Sequence, residues 1–341
     1  MKRKFCIVAS ILLAGTILVV GCIYAVATNF GKKKLDLTVY APDGAPALSI
    51  AKLLSEDTET DGLEYHIVNT ANSDIASFVT YEQESKNADI CILPLTDASL
   101  HLSDGSKYQT LGVVTHGNFY LLAENNETAY TVENLSSLIG KKVGFVQLGK
   151  LPGLVFQTIL ERGNIPYKVQ SDLQSAESGV VNLINVKPTD VKKGTGFDLF
   201  AMPEPAATTK INNAGFFRVG NVQELYGGAN GYPQAIVVVK KSVVQKQSGL
   251  VQTFLDGLKN NETWIKTATV DTVLQAVNSH LEEGATPTLT TANLSQNVIT
   301  GCGVYFKSAT ESKAEINGLM DALIAVKPQA GDRFADAFFG D

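Results

Sequence analysis

Gly144-Phe145-Val146-Gln147-Leu148-Gly149-Lys150 follows the spacing of a phosphate-cradling loop through its first seven positions and lies at the end of an apolar, strand-like run. The eighth position fails: Leu151 stands where a Ser or Thr would ligate magnesium, and Pro152 follows. The nucleotide reading is therefore disfavoured, although the glycines and Lys150 still favour an anion at a helix start. No GxSxG, HExxH or paired Cys-His nucleophile is present, so hydrolase and metalloprotease chemistry lacks its parts. Four cysteines at 6, 22, 91 and 302 include no CxxC, and His66, His101 and His280 are too scattered for a metal site. No cofactor is expected.

What remains is binding chemistry. Four Gly- and Pro-rich turns each follow a strand-like run: Asp43-Gly44-Ala45-Pro46, Pro94-Leu95-Thr96-Asp97, Gln147 to Gly153, and Pro203-Glu204-Pro205-Ala206-Ala207-Thr208. Any strand-to-helix turn uses Gly and Pro, but in parallel α/β sheets these turns also present free N-H groups to a crevice. Asp43, Gly44, Ala45, Thr96, His116, Asn118, Gln147, Gly149, Glu204, Thr208 and Gln234 are the candidate ligand-binding residues. His116 reads either as a ligand contact or as a hydrogen-bonded hinge histidine. Glu204 either caps its own helix start or faces an amine or ring nitrogen of the solute. Phe119, Tyr120, Tyr226 and Tyr232 offer aromatic faces, with at most one of the adjacent pair Phe119 and Tyr120 reaching a ligand. Trp264 reads as core, and Cys91 and Cys302 as free thiols.

The elements that position these residues alternate in the βα manner. Strands are predicted over 35–41, 63–68, 88–93, 143–147, 197–202 and 216–219, and helices over 47–55, 73–84, 153–162 and 205–212. The run 111–123 reads as one long crossing strand and 232–240 as a second, after which helices are predicted over 243–258, 261–267, 270–281 and 314–326. Two α/β lobes joined by two crossing segments leave a cleft between them. The expected division is 35–117 with 235–341 in one lobe and 118–234 in the other, behind an N-terminal segment, 1–34.

The order of the Pro42-to-Ala47 segment, the Asp89-to-Pro94 strand, Leu138 to Gly144, Met202 to Thr208 and Gly231 to Ala235 resembles the extracytoplasmic solute-binding proteins of ABC importers. The subgroup is that for nitrate, sulfonates, taurine and thiamine-pyrimidine precursors, and the likeness covers residues 36 to about 270. The resemblance implies a type II periplasmic-binding-protein-like fold whose hinge of two crossing segments closes on a small solute. It implies a permease and an ATPase as partners, and a monomer. No motif fixes the solute. A sensor of the same fold without transport is the alternative, and an enzyme ranks third.

Lys2-Arg3-Lys4 precedes a 23-residue run, 5–27, free of charged residues, and Val19-Val20-Gly21-Cys22 resembles a bacterial lipobox that would lipidate Cys22. An uncleaved membrane anchor is the rival reading, since about 20 apolar residues span a bilayer. Both place the body outside the cytoplasm, anchored to the membrane. Lys+Arg 28 against Asp+Glu 34 gives a net charge of -6, with the dense basic runs confined to the first 34 residues, so nucleic acid is not an expected partner. With 45% hydrophobic residues in 341, the chain has core enough for about two domains.

Overall fold

The computed structural model describes residues 36–57, 62–69 and 73–340. The expected export segment, including Cys22, lies outside them. Among the described residues no helix is long and apolar enough to cross a membrane.

The chain opens with β1 (Leu37–Pro42), α1 (Ala45–Leu48), α2 (Ala51–Ser55), β2 (Leu63–Val68), α3 (Ser77–Thr80), β3 (Ile90–Pro94), α4 (Leu95–Leu102) and β4 (Tyr108–Thr115). A second set follows: β5 (Phe119–Ala123), β6 (Lys142–Val146), α5 (Leu151–Arg162), β7 (Tyr167–Gln170), β8 (Val181–Val186), β9 (Leu199–Pro203), α6 (Ala206–Ala214), β10 (Phe217–Asn221) and α7 (Val222–Gly227). The chain ends with β11 (Ala235–Lys240), α8 (Lys241–Lys246), α9 (Ser248–Thr267), α10 (Val270–Asn278), α11 (Gln296–Gly301), β12 (Val304–Ser308) and α12 (Ala309–Val326).

The strands form two six-stranded sheets, ordered β12-β4-β11-β3-β1-β2 and β10-β5-β9-β6-β8-β7. Each is mixed, with a parallel block and antiparallel strands beside it. β2-β1-β3 and β7-β8-β6-β9 run parallel. The strand that arrives from the other sheet inserts antiparallel to its neighbours: β11 between β3 and β4, and β5 between β9 and β10. This is an α/β fold of two lobes whose hinge is the pair of crossings.

The first crossing is not one long strand. The run splits at His116-Gly117-Asn118 into β4 and β5, one in each sheet. Gly117 has φ 89, and a Cβ there would come within 2.4 Å of Gln223 Cγ and 2.7 Å of Tyr232 Cε1. Gly231, on the return crossing, has φ 63 and would place a Cβ 2.1 Å from the His116 carbonyl oxygen. The two crossings thus lie against each other with no room for a side chain at either glycine.

Several predicted helices differ. The helix over 47–55 breaks into α1 and α2, and the groups freed at the break are satisfied by Asn261, which donates from Nδ2 to the Leu48 carbonyl (3.0 Å) and accepts at Oδ1 from the Lys52 N-H (2.9 Å). Asn261 is buried inside α9, so that helix runs through the position where two separate ones were expected. The helix over 73–84 shrinks to α3, because the Asn87 side chain bonds both backbone groups of Tyr81 and holds it extended. β7, β8, α4 and β12 were not foreseen.

A hydrophobic core runs through both lobes. Val113 and Ile236 of the first sheet and Phe119, Leu121 and Phe145 of the second belong to one buried cluster with Ile316, Leu319, Met320 and Leu323 of α12. α12 packs directly on α5. Burial of each such side chain stabilises the fold by about 1.5–3 kcal/mol. One side of the seam is therefore closed by apolar packing.

Candidate functional site

The other side of the seam holds a cavity of about 670 Å³. Its walls are the carboxyl ends of β1, β3, β6 and β9, two from each sheet, with Pro42, Pro94, Gln147 and Pro203 all in the lining. That is where α/β sheets bind ligands. Thr288, from the loop after α10, completes the rim.

Of the residues singled out from sequence, Asp43, Gly44, Ala45, Thr96, Asn118, Gln147, Glu204 and Gln234 line the cavity. Asp43 is held in place by its backbone surroundings: Oδ1 accepts from the Gly44 N-H (2.7 Å) and Oδ2 from the Thr288 N-H (2.6 Å). Asn118 donates from Nδ2 to the Glu204 carbonyl (3.1 Å) and accepts at Oδ1 from Gln234 Nε2 (3.0 Å). The Asn118-Gln234 bond thus joins the two crossings. Gln234 Oε1 is left without a partner, and a buried acceptor in that state costs about 1–3 kcal/mol until something donates to it.

Glu204 borders the cavity, yet its carboxylate is fully buried and engaged by the protein. It accepts from the Thr208 N-H (3.0 Å), from the Thr208 hydroxyl (2.8 Å) and from Arg218 Nη2. Glu204 therefore caps the start of α6, and most of its acceptor capacity is used within the protein. Arg218 lies over the Tyr120 ring, 3.8 Å from its centroid, and the Tyr120 hydroxyl donates to the Gly301 carbonyl (2.9 Å). Burial raises the Tyr120 hydroxyl to about 12, so it stays protonated and donating.

His116, Gly149 and Thr208 do not line the cavity. Thr208 serves Glu204. Gly149 is exposed beside the cavity. His116 is 3% exposed, stacked on Tyr305 with ring centroids 3.5 Å apart and planes 7° from parallel, and neither ring nitrogen has a partner. Burial, the dominant cause, lowers its pKa to about 3, so the ring is neutral at the hinge. Of the aromatic pair, Phe119 lines the cavity and Tyr120 does not. Tyr232 is wholly buried, and Trp264 packs against the core as expected. Cys91 and Cys302 are free and buried. Among the described residues no group of His, Cys, Asp and Glu could hold a metal ion.

Sequence reasoning passed over Asp74, Asp97 and Thr288, all in the lining, whereas Lys150, marked from sequence for an anion at a helix start, lines the cavity too. Asp97 stood inside one of the turns already marked, and its charge was the available signal. Thr288 comes from an irregular loop with no periodicity to mark it.

No protein-family model matches the sequence, and no curated protein matches it. Solved structures do match in shape. A crystal structure of an ABC transporter from Parabacteroides distasonis superposes with TM-score 0.65 at 17% identity, over 89% of this chain and 98% of that one. The periplasmic aliphatic sulphonate binding protein SsuA of Escherichia coli gives 0.58 at 13% identity, over 88% and 92%. The alkanesulfonate-binding protein SsuA of Xanthomonas axonopodis pv. citri, bound to MOPS, gives 0.55 at 13% identity, over 88% and 96%. This is the periplasmic-binding-protein fold. In the terms of that fold, the cavity is the interlobe cleft and the two glycine-bearing crossings are its hinge.

Proposed function

We propose that this chain is the extracytoplasmic solute-binding component of an ABC importer. It closes its two lobes on a small solute and presents the closed form, as a monomer, to permease and ATPase subunits. The observation that carries the reading is the cavity at the ends of four strands from two sheets, beside crossings that leave no room for side chains. A ligand gains from both walls only when they approach, so binding shifts the population toward the closed form. The fold relatives support an import role, and the sulfonate, nitrate and pyrimidine-precursor classes of small solute are the ones to test first.

The body is tethered at its N-terminal segment, with Cys22 as the lipid-bearing residue. Cys22→Ala abolishes incorporation of labelled palmitate on this reading; label retained in that variant refutes the lipid anchor. The binding role is tested by a thermal-shift screen against sulfonates, nitrate, pyrimidines, small aromatic acids and amines. A solute at 100 times its dissociation constant adds about 2.7 kcal/mol of stability. A screen in which no member raises the melting temperature counts against a receptor.

A further inference from the structure

Five charged residues line the cavity: Asp43, Asp74, Asp97 and Glu204 against Lys150. Three of the four carboxylates have partners within the protein. Asp43 takes two backbone N-H groups, Asp74 takes the Ala76 N-H at 3.1 Å, and Glu204 takes Arg218 and Thr208. Asp97 is the exception. Among the described residues no donor lies within hydrogen-bond reach of its carboxylate, although it is half-buried in the first turn of α4.

Thr96, the residue before it, is only 6% exposed and also lines the cavity, and its hydroxyl makes no hydrogen bond among the described residues. Two adjacent oxygen-bearing side chains are thus directed at the same space with nothing to receive. Burial raises the Asp97 carboxyl above its ordinary range, and Asp74 pushes the same way, while Lys150 from the facing wall and His101 on its own helix pull it down. A partly desolvated carboxylate without a donor costs free energy that a cation placed against it recovers.

We propose, building on the receptor reading above, that the solute carries a cationic nitrogen, held by the Asp97 carboxylate with the Thr96 hydroxyl as a second acceptor. Lys150, exposed on the opposite wall, leaves room for an acidic group on the same molecule. Nitrate and simple alkanesulfonates, which offer only negative charge to a wall with three aspartates, are disfavoured. A basic pyrimidine or an amine-bearing acid fits.

The test is calorimetric titration with matched pairs that differ in one group: ethanesulfonate and 2-aminoethanesulfonate, and a hydroxymethyl- and an aminomethyl-pyrimidine, with nitrate alongside. The nitrogen-bearing member binds about ten-fold tighter than its partner or better. Asp97→Asn weakens that member about ten-fold and its partner by less than about three-fold, and Thr96→Val gives a smaller loss in the same direction. Circular dichroism of both variants confirms that they fold. Lowering the pH toward the carboxylate range weakens the amine, because protonation removes the Asp97 charge, whereas an anion in the same place would bind tighter. A sulfonate or nitrate that binds as well as the amines, or an Asp97→Asn variant within about two-fold for the amine, overturns the assignment and leaves the receptor reading standing. Silence from every probe, together with a flat thermal-shift screen, removes both.

Discussion

The Arg218-Glu204 pair beside the cavity gives an asymmetric prediction. The Glu204 side chain has no exposure, whereas that of Arg218 retains 36%. Removing the guanidinium strands a buried carboxylate on the two Thr208 donors alone, and breaking a buried pair from that side costs about 3–5 kcal/mol. The remaining donors keep Arg218→Ala near the lower limit, and loss of the contact with the Tyr120 ring adds about 0.5–1 kcal/mol, giving about 3–4 kcal/mol together. Removing the charge from the other side is cheaper. In Glu204→Gln the amide still accepts from the Thr208 N-H and Arg218 turns to water, so the loss is that of one charged hydrogen bond, about 1.5–3 kcal/mol, taken low because one partner is solvated. The double variant then regains at least about 1 kcal/mol over Arg218→Ala, since it no longer buries an uncompensated charge. Equilibrium urea denaturation with an unchanged slope reads all three. Additive losses, or a costlier Glu204→Gln than Arg218→Ala, would refute the reasoning.

Gly231→Ala is expected to cost at least about 2 kcal/mol, because a Cβ would stand 2.1 Å from the His116 carbonyl oxygen at a φ of 63; Gly149→Ala, with nothing within 4 Å, should stay within about 0.5 kcal/mol, and thermal denaturation compares them. His116, with its pKa lowered to about 3, binds its proton in the unfolded chain before the folded one. Its contribution is complete above about pH 6.5 and is lost below it at up to about 1.4 kcal/mol per pH unit, a slope that His116→Phe should flatten in urea melts and that an unchanged slope would rule out. Gln234→Ala is expected to weaken solute binding in calorimetry by about ten-fold, since Oε1 is a buried, unpartnered acceptor in the lining; Thr208→Ala, which acts on Glu204, should lower stability and leave affinity unchanged.

The strands of the two sheets were legible where a short apolar run met a Gly or Pro turn. β2 falls on its predicted range and β9 within two residues of it. The turns at Asp43, Thr96, Gln147 and Glu204 were legible for the same reason, and the structure gathers all four around one cavity. What stayed hidden depends on side chains that reach across the chain. No local pattern says that Asn261 will satisfy a break 209 residues earlier, at Lys52, or that Asn87 will unwind a helix at Tyr81. β7 and β12 are exposed or half-buried along their length, so the alternation that marks a strand is weak in them. His116 could be read two ways because a short Thr-His-Gly-Asn run fits a ligand loop or a hydrogen-bonded hinge; the structure puts it outside the cavity lining and gives its ring no hydrogen bond among the described residues, and the ring it stacks on, Tyr305, lies on β12, an element the sequence did not reveal.

The shared core limits how the proposed closure could work. Ile316, Leu319, Met320 and Leu323 of α12 lie in the same buried cluster as Leu154 and Val155 of α5, so sliding one lobe past the other would expose apolar surface at about 25 cal/mol per Å². Rotation about that packed side opens or narrows the cavity on the far side without breaking the contact. The backbone changes then fall where the chain crosses, at Gly117 and Gly231, each of which has a positive φ and packs against the opposite crossing. A bond between the crossings, from Gln234 Nε2 to Asn118 Oδ1, sits on the cavity wall itself. A solute that donates to the free Gln234 oxygen would therefore bear directly on the link between the two crossings, which couples occupancy of the cleft to the angle between the lobes.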